Sequence, residues 1–303
     1  MSITEVVDVV VRLLVALISW PLVVLVVVII VRHQLPALIA DLASRLRKAP
    51  GGFEFDELRD QVATVAQRVK NIEEAVVFRP SAALTPDLQQ QLQTSLSHFY
   101  EYLKTLGFEP DKGRPEVAIQ SNYDNAHYDG RQNLIVIGER LAADVDVALR
   151  EFTHHVLGAF APETYQNPKD TYRAIESGLA DYFPCSFTGN ALMGEQAGRL
   201  FGKPYLRNLD NERRFTEVTP DTPGPQDEGE VWAGAFWQIR KLLQQEVADR
   251  LLFSTWRTQS PADISRDDPK VFVRGLMNEA QHSADNDDAT TIQSIFQHRG
   301  LEV

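Results

Sequence analysis

The chain has 303 residues, of which 44% are hydrophobic and 24% are charged, and its formal net charge is −12. This length is enough for one large core with additional segments. The acidic balance and the lack of a basic stripe argue against nucleic acid as a partner. Cys185 is the only cysteine, so the chain cannot form an intrachain disulfide.

Residues 13–31 are an unbroken apolar run, LLVALISWPLVVLVVVIIV. As a helix the run would span about 28 Å, which is close to the thickness of the hydrocarbon core of a bilayer. A cleaved signal peptide fits poorly, because the run is too long, no basic segment precedes it and no small-residue cleavage site follows it. We therefore predict a single transmembrane anchor within residues 1–35, with the lipid bilayer as a partner.

The segment after this run is basic and partly amphipathic, and it contains Arg32, Arg45, Arg47 and Lys48. Lys and Arg in the short flanks of a transmembrane helix stay on the cytoplasmic side. The sequence therefore predicts an outside N-terminus and a cytoplasmic main domain, at the inner membrane of a bacterial-type cell.

Residues 36–80 are predicted to connect the anchor to the main domain. Apolar residues recur there at spacings of four and three, with charged and polar residues between them: Leu58, Val62, Val65, Val69, Ile72 and Val76. This spacing is typical of a short coiled coil and predicts a possible homo-oligomer through Leu58–Val76. An amphipathic helix that packs on its own domain fits the same spacing, so both interpretations stay open.

Residues 81–303 are predicted to form one α+β domain. A strand at 116–121 and a hairpin at 125–138, with its turn at Asp129-Gly130, precede most of the helices. Apolar residues at helical spacing predict helices at 85–108, 146–158, 170–183, 231–256, 268–283 and 288–300. Pro184 is predicted to end the helix that begins at residue 170.

Residues 146–158, DVALREFTHHVLG, would contain the zinc-binding pattern H-E-x-x-H if Arg150 were a histidine. The segment NAHYDGRQNLIVIG precedes it, and AIESGLADYF and GEVWAGAFWQIR follow it. In order and spacing, these segments resemble the thermolysin-like and fungalysin-like zinc metallopeptidases, the gluzincins, between residues 115 and 303. The resemblance implies an α+β fold with a small sheet and a mostly helical C-terminal half.

In that family the two histidines of the motif bind zinc, and the glutamate between them is the general base. The resemblance places Arg150 at the first ligand position, Glu151 at the base position and His154 at the second ligand position. A guanidinium has no lone pair to donate and stays protonated in proteins, so Arg150 cannot bind zinc.

The third zinc ligand of the family is a glutamate four residues before an acid that orients the first histidine. Here the acid is Asp181, and counting back four residues gives Ser177. Glu176 is one residue early and is turned by about 100° around the helix axis. The family also has a histidine before G-E-V-W-A that steadies the reaction intermediate, where this chain has Gln226 or Asp227. The substitutions predict that no metal cofactor is bound.

Two functions are compatible with this pattern. In the first, the domain is a catalytically inactive module for binding, scaffolding or regulation. Arg150 then replaces the ion as the local positive charge and pairs with Asp181 or Glu176. In the alternative, the protein is an active zinc peptidase with an unusual ligand set that includes His154 and Glu176, and Glu151 is its general base.

Asn125 and Ala126 mark a possible peptide groove, because they lie where the substrate-lining edge strand of the family begins. A role in shaping a turn fits the same two residues. If the groove is kept, we predict that an extended segment of a protein or peptide partner adds, without being cut, to an edge strand near Leu134–Ile137.

Overall fold

The computed structural model describes residues 75–108, 113–160, 170–217, 225–259, 268–282 and 287–303. The predicted transmembrane anchor, the basic segment after it and residues 58–74 of the predicted coiled coil lie outside the described residues. None of the helices in the described ranges is long and apolar enough to cross a bilayer.

Ala75 and Val76 lead into the domain, and both are buried. Strand β1 (Val77–Phe78) follows at once and pairs in parallel with strand β2 (Glu116–Gln120). Val76 is therefore not helical, and the spacing predicted for a coiled coil ends before it. The sheet already includes β1, so the domain begins before the predicted boundary at residue 81.

Four strands form the main sheet in the order β1-β2-β4-β3, where β3 is Ala126–Asp129 and β4 is Leu134–Gly138. β2 and β4 are parallel, and β3 and β4 form the antiparallel hairpin that the sequence predicts. β4 is buried along its whole length and lies between β2 and β3. The prediction of a free edge at Leu134–Ile137 is therefore wrong, and β3 is the edge strand of this hairpin.

Eight α-helices and a two-stranded ribbon make up most of the rest of the described chain. The helices are α1 (Pro86–Thr105), α2 (Val145–Ala159), α3 (Asp170–Thr188), α4 (Glu195–Leu200), α5 (Pro225–Leu243), α6 (Gln245–Thr258), α7 (Lys270–His282) and α8 (Asp287–His298). The ribbon pairs β5 (Leu192–Met193) with β6 (Arg207–Asn208).

Side-chain caps determine where two of these helices begin. Thr85 accepts a hydrogen bond from the Leu88 N–H at 3.2 Å, and Pro86 occupies the first turn of α1, as the sequence predicts. Asp144 accepts one from the Asp146 N–H at 3.2 Å at the start of α2. The Asp144 cap fixes the start of α2, the helix that carries the motif residues.

Two helix ends differ from the predictions. α3 continues through Pro184, so the prediction that this proline ends the helix is wrong. Phe183 and Cys185 are both buried, and their packing offsets the hydrogen bond that the proline removes. The helix predicted at 231–256 is two helices, because Gln244 has a φ of 70° and ends α5 before α6 begins.

Glycines bring α3 and α5 close together. A Cβ at Gly178 would lie 2.5 Å from the Cβ of Trp232, and a Cβ at Gly229 would lie 2.9 Å from the Cβ of Ser177. α2 packs against α3 and against the sheet strands β3 and β4. The motif residues of α2 and α3 therefore face each other beside the edge strand.

Candidate functional site

A cleft of about 600 Å³ lies between α2, α3, β3 and the region of the β5–β6 ribbon. Most of the site residues predicted from the sequence are among those that line it: Asn125, Ala126, Arg150, Glu151, His154, Glu176 and Ser177. Asp181 is fully buried behind this wall. The structure thus brings the predicted site residues of α2, α3 and β3 to one place.

The Arg150 side chain makes three hydrogen bonds. Its Nε donates to Asp181 Oδ1 at 2.6 Å, its Nη1 donates to Glu151 Oε1 at 3.0 Å, and its Nη2 donates to Ser177 Oγ at 3.1 Å. Only 16% of the side chain is exposed. The guanidinium of Arg150, at the first ligand position of the family, therefore contacts Glu151 at the base position and Ser177 at the third ligand position.

The electrostatic surroundings keep Arg150 charged. Burial alone lowers the pKa of a guanidinium, but the carboxylates of Asp181 and Glu151 outweigh this effect and raise the pKa of Arg150 above its ordinary value. A second cation, Arg207, has its Nε 3.7 Å from Asp181 Oδ2. The buried Asp181 thus lies between two arginines.

Glu176 faces His154 rather than Arg150. Its Oε1 lies 3.1 Å from His154 Nδ1, and both side chains are at least four-fifths buried. The sequence predicts either Asp181 or Glu176 as the partner of Arg150. In the structure, Asp181 contacts the guanidinium of Arg150, and Glu176 contacts the imidazole of His154.

His155 points away from this cluster into the core. It is 2% exposed, and its Nδ1 lies 3.2 Å from the Tyr128 hydroxyl. The hydroxyl donates a hydrogen bond to Asn133 Oδ1 at 3.0 Å. Burial, with smaller effects from Asp129 and Glu176, raises the pKa of Tyr128 to about 12. Tyr128 therefore stays neutral on the cleft wall.

The chain is similar in structure to the precursor of protealysin, a metalloproteinase from Serratia proteamaculans. The TM-score is 0.60 and the sequence identity is 15%, over 76% of this chain and 85% of that chain. The fold is thermolysin-like. No family model and no curated protein matches the sequence, and at this identity the structural likeness shows the fold alone.

The residues at the centre of this thermolysin-like fold do not fit the zinc ion that the family implies. Within the described ranges, no three side chains of His, Cys, Asp or Glu are placed together to hold a metal. At the first ligand position, Arg150 offers donors and a positive charge, whereas a divalent cation needs lone pairs and is repelled by that charge. Ser177, at the third ligand position, is bonded to the same guanidinium.

Two arginines of the thermolysin-like cleft, Arg173 on α3 and Arg207 on β6, belong to no motif in the sequence. Arg207 Nε lies 3.3 Å from Glu230 Oε1 in addition to its contact with Asp181. These contacts join residues that are far apart in the chain, so no local pattern indicates them. The side chains of Gln226 and Asp227, at the predicted position of the auxiliary histidine, lie outside the described residues.

Proposed function

We propose that the protein is a membrane-anchored, catalytically inactive metallopeptidase-like module that binds a segment of another protein. The observation that carries this proposal is the Arg150 guanidinium, which pairs with Asp181 and Glu151 where the family needs a zinc ligand. The thermolysin-like fold supplies the cleft, and Arg150 supplies the positive charge that keeps the buried carboxylates compensated.

The alternative, an active zinc peptidase that uses His154, Glu176 and Glu151, has less support. His154 and Glu176 supply two donor groups, whereas a catalytic zinc needs three protein ligands. The carboxylate of Glu151 accepts a hydrogen bond from Arg150, so it is already engaged by a cation. A base held in this way activates a water less well than a carboxylate that faces a metal-bound water.

The edge strand β3 supports binding of an extended segment. Gly138 N–H donates to the Asn125 carbonyl at 2.9 Å, so Asn125 and Gly138 are a hydrogen-bonded pair of the antiparallel ladder. The next residue, Ala126, therefore directs its N–H and C=O away from β4, and Tyr128 does the same. A partner strand would add to these groups beside the cleft.

Metal analysis tests the proposed inactivity. The full-length chain, purified in detergent and incubated with zinc, should hold far less than one zinc per chain after dialysis and should not hydrolyse casein. Glu151→Gln is the matched control, because it removes the base of a peptidase without removing a ligand. One zinc per chain, together with hydrolysis that Glu151→Gln abolishes, would favour the active peptidase.

The variant Ala126→Pro tests the edge strand. Proline lacks the N–H that Ala126 turns outward, and it leaves the hydrogen bonds of β3 to β4 in place. Partners captured by the wild-type chain in cells should be lost with Ala126→Pro and kept with Ala126→Ser. Full capture by the proline variant would argue against strand addition.

The anchor is tested by cell fractionation. The full chain should stay in the membrane pellet after an alkaline carbonate wash, and a chain without residues 1–35 should be released. A reporter fused to the C-terminus should be active on the cytoplasmic side only. Release of the full chain by the wash would contradict the proposed anchor.

A further inference from the structure

Arg173 lies on the wall of the same cleft, and we propose that it binds a carboxylate of the partner segment. The inference rests on the proposed function, in which the cleft holds an uncut segment. Arg173 is three residues before Glu176 and four before Ser177 on α3, and all three line the cleft. This spacing places them on one face of the helix.

Three arginines line the cleft in the described part of the chain, and they differ in their partners. Arg150 is bonded to Asp181, Glu151 and Ser177. Arg207 is paired with Asp181 and Glu230. Arg173 is exposed, and no residue in the described part of the chain forms a hydrogen bond or an ion pair with it. Its five N–H donors are therefore available to a ligand.

The carboxylates among the described residues of the cleft do not compete for these donors. Each of these carboxylates is held by another side chain: Glu151 by Arg150, Glu176 by His154, and Asp124 by Arg140. The cleft therefore offers an incoming chain a free hydrogen-bond donor with a positive charge, whereas its own carboxylates are already engaged.

Arg173 lies close to the N-terminal end of α3. α3 begins at Asp170, and a cation in the first turns of a helix is disfavoured by the helix dipole. A carboxylate bound to Arg173 would relieve this repulsion and would itself lie near the positive end of α3. The planar guanidinium also matches the two oxygens of a carboxylate.

The carboxylate has two possible sources, an acidic side chain within the partner segment or the C-terminal carboxylate of the partner. Both present the same two oxygens to Arg173, and they differ in where the bound chain must end. The test therefore compares the two sources with a neutral peptide.

Three pools of fluorescein-labelled octapeptides serve as the probe, with the same mixture of apolar and neutral polar residues at the variable positions. The first pool has one internal Glu and an amidated end, the second has Gln and a free C-terminus, and the third has Gln and an amidated end. Each pool is titrated with the full-length chain in detergent, and fluorescence anisotropy gives the affinity. We expect one carboxylate pool to bind about tenfold tighter than the neutral pool at low salt, and the difference to shrink as salt rises.

Arg173→Gln should remove the preference for the carboxylate pool and leave the affinity for the neutral pool unchanged. The matched control is Arg250→Gln, which makes the same change of charge at an exposed residue of α6 that pairs with Glu246. This control should keep the preference.

Equal affinity of the wild-type chain for all three pools, or a preference that survives Arg173→Gln, would overturn the inference. Binding of no pool would overturn it as well. Failure of the proposed function appears separately, as stoichiometric zinc and peptide hydrolysis in the metal analysis.

Discussion

Arg150 has two effects at one position. It cannot donate an electron pair to a metal, and it supplies the charge that two buried carboxylates need. The side chains of Asp181 and Glu151 are 0% and 4% exposed, and a buried charge without a partner costs several kcal/mol. The same residue that offers no lone pair at the first ligand position therefore compensates the buried charge around it.

Arg150→Met should destabilise the folded state by about 3 kcal/mol or more, because it leaves the buried Glu151 without its cation and leaves the buried Asp181 with only the more distant Arg207. The measurement is the free energy of unfolding in urea. Arg140→Met is the control, since Arg140 pairs with Asp124 at a site where both side chains are 57% exposed. This control should cost less than about 1 kcal/mol. Similar losses for the two variants would show that Arg150 does not compensate buried charge.

Asp146 gives a prediction about pH. Its Oδ2 accepts a hydrogen bond from the Gly194 N–H at 2.9 Å, which joins α2 to the segment that carries the β5–β6 ribbon. Burial raises its pKa above the ordinary value of 3.8, and the hydrogen bond only partly opposes this. At pH values between 3.8 and the raised pKa, Asp146 holds its proton more tightly in the folded chain than in the unfolded chain. This stabilising contribution is present at low pH and is lost as the pH rises through the folded-state pKa.

Asp146→Asn keeps an oxygen acceptor for Gly194 and cannot ionise. Relative to the wild-type chain, the variant should therefore gain unfolding free energy as the pH is raised from about 4 to about 8. Urea denaturation of both proteins at each pH measures this difference. A difference that stays constant over that range would contradict the proposed effect of burial.

The sequence predicts where the site residues are better than it predicts what they contact. Asp181 is one helical turn after Ser177, so both lie on the face of α3 that meets Arg150, whereas Glu176 is rotated toward His154. The rotation of Glu176 away from Ser177 and Asp181 can be predicted from the residue spacing in the helix. The contact of Arg207 with Asp181 cannot be predicted from the sequence pattern, because only the tertiary fold brings β6 to α3.

At the scale of the elements, long periodic segments were predictable and short ones were not. The hairpin of β3 and β4 and most helices follow from apolar spacing and turn residues. The strands β1, β5 and β6 have two residues each, which is too short for alternation to be detected. The break between α5 and α6 occurs at Gln244, with neither glycine nor proline to indicate it.

Gln244→Gly should stabilise the protein by about 1 kcal/mol, because Gln244 has φ 70° and ψ 155°, a conformation that glycine adopts without strain. Gln244 is exposed, so the variant loses little packing. Asn122→Gly is the control: Asn122 has a φ of 57°, which asparagine tolerates, so this change should have a smaller effect. Urea denaturation of the two variants compares them. A loss of stability in Gln244→Gly would show that the strain at this position is small.

At the scale of the whole molecule, the thermolysin-like arrangement of α2, α3 and the sheet is present although Arg150 and Ser177 occupy the positions where the resemblance places zinc ligands. The TM-score of 0.60 at 15% identity reflects a shared frame with few shared side chains. Packing of apolar faces tolerates many combinations of side chains, whereas a metal site needs particular donors at fixed positions. The packing of the fold and the donors of a metal site can therefore change independently.

If the frame is kept, two substitutions should return a metal site. Arg150→His combined with Ser177→Glu restores donors on α2 and α3 beside His154, and Asp181 is in place to orient the new imidazole. The double variant should bind about one zinc per chain and melt at a higher temperature with zinc than without it. Each single variant should bind far less, because it lacks one of three ligands.

The control is Arg150→His with Ser177→Gln, which has a side chain of similar size but a poor zinc donor. A double variant that folds and gains no more zinc than this control would show that α2 and α3 do not have the spacing that a zinc site needs.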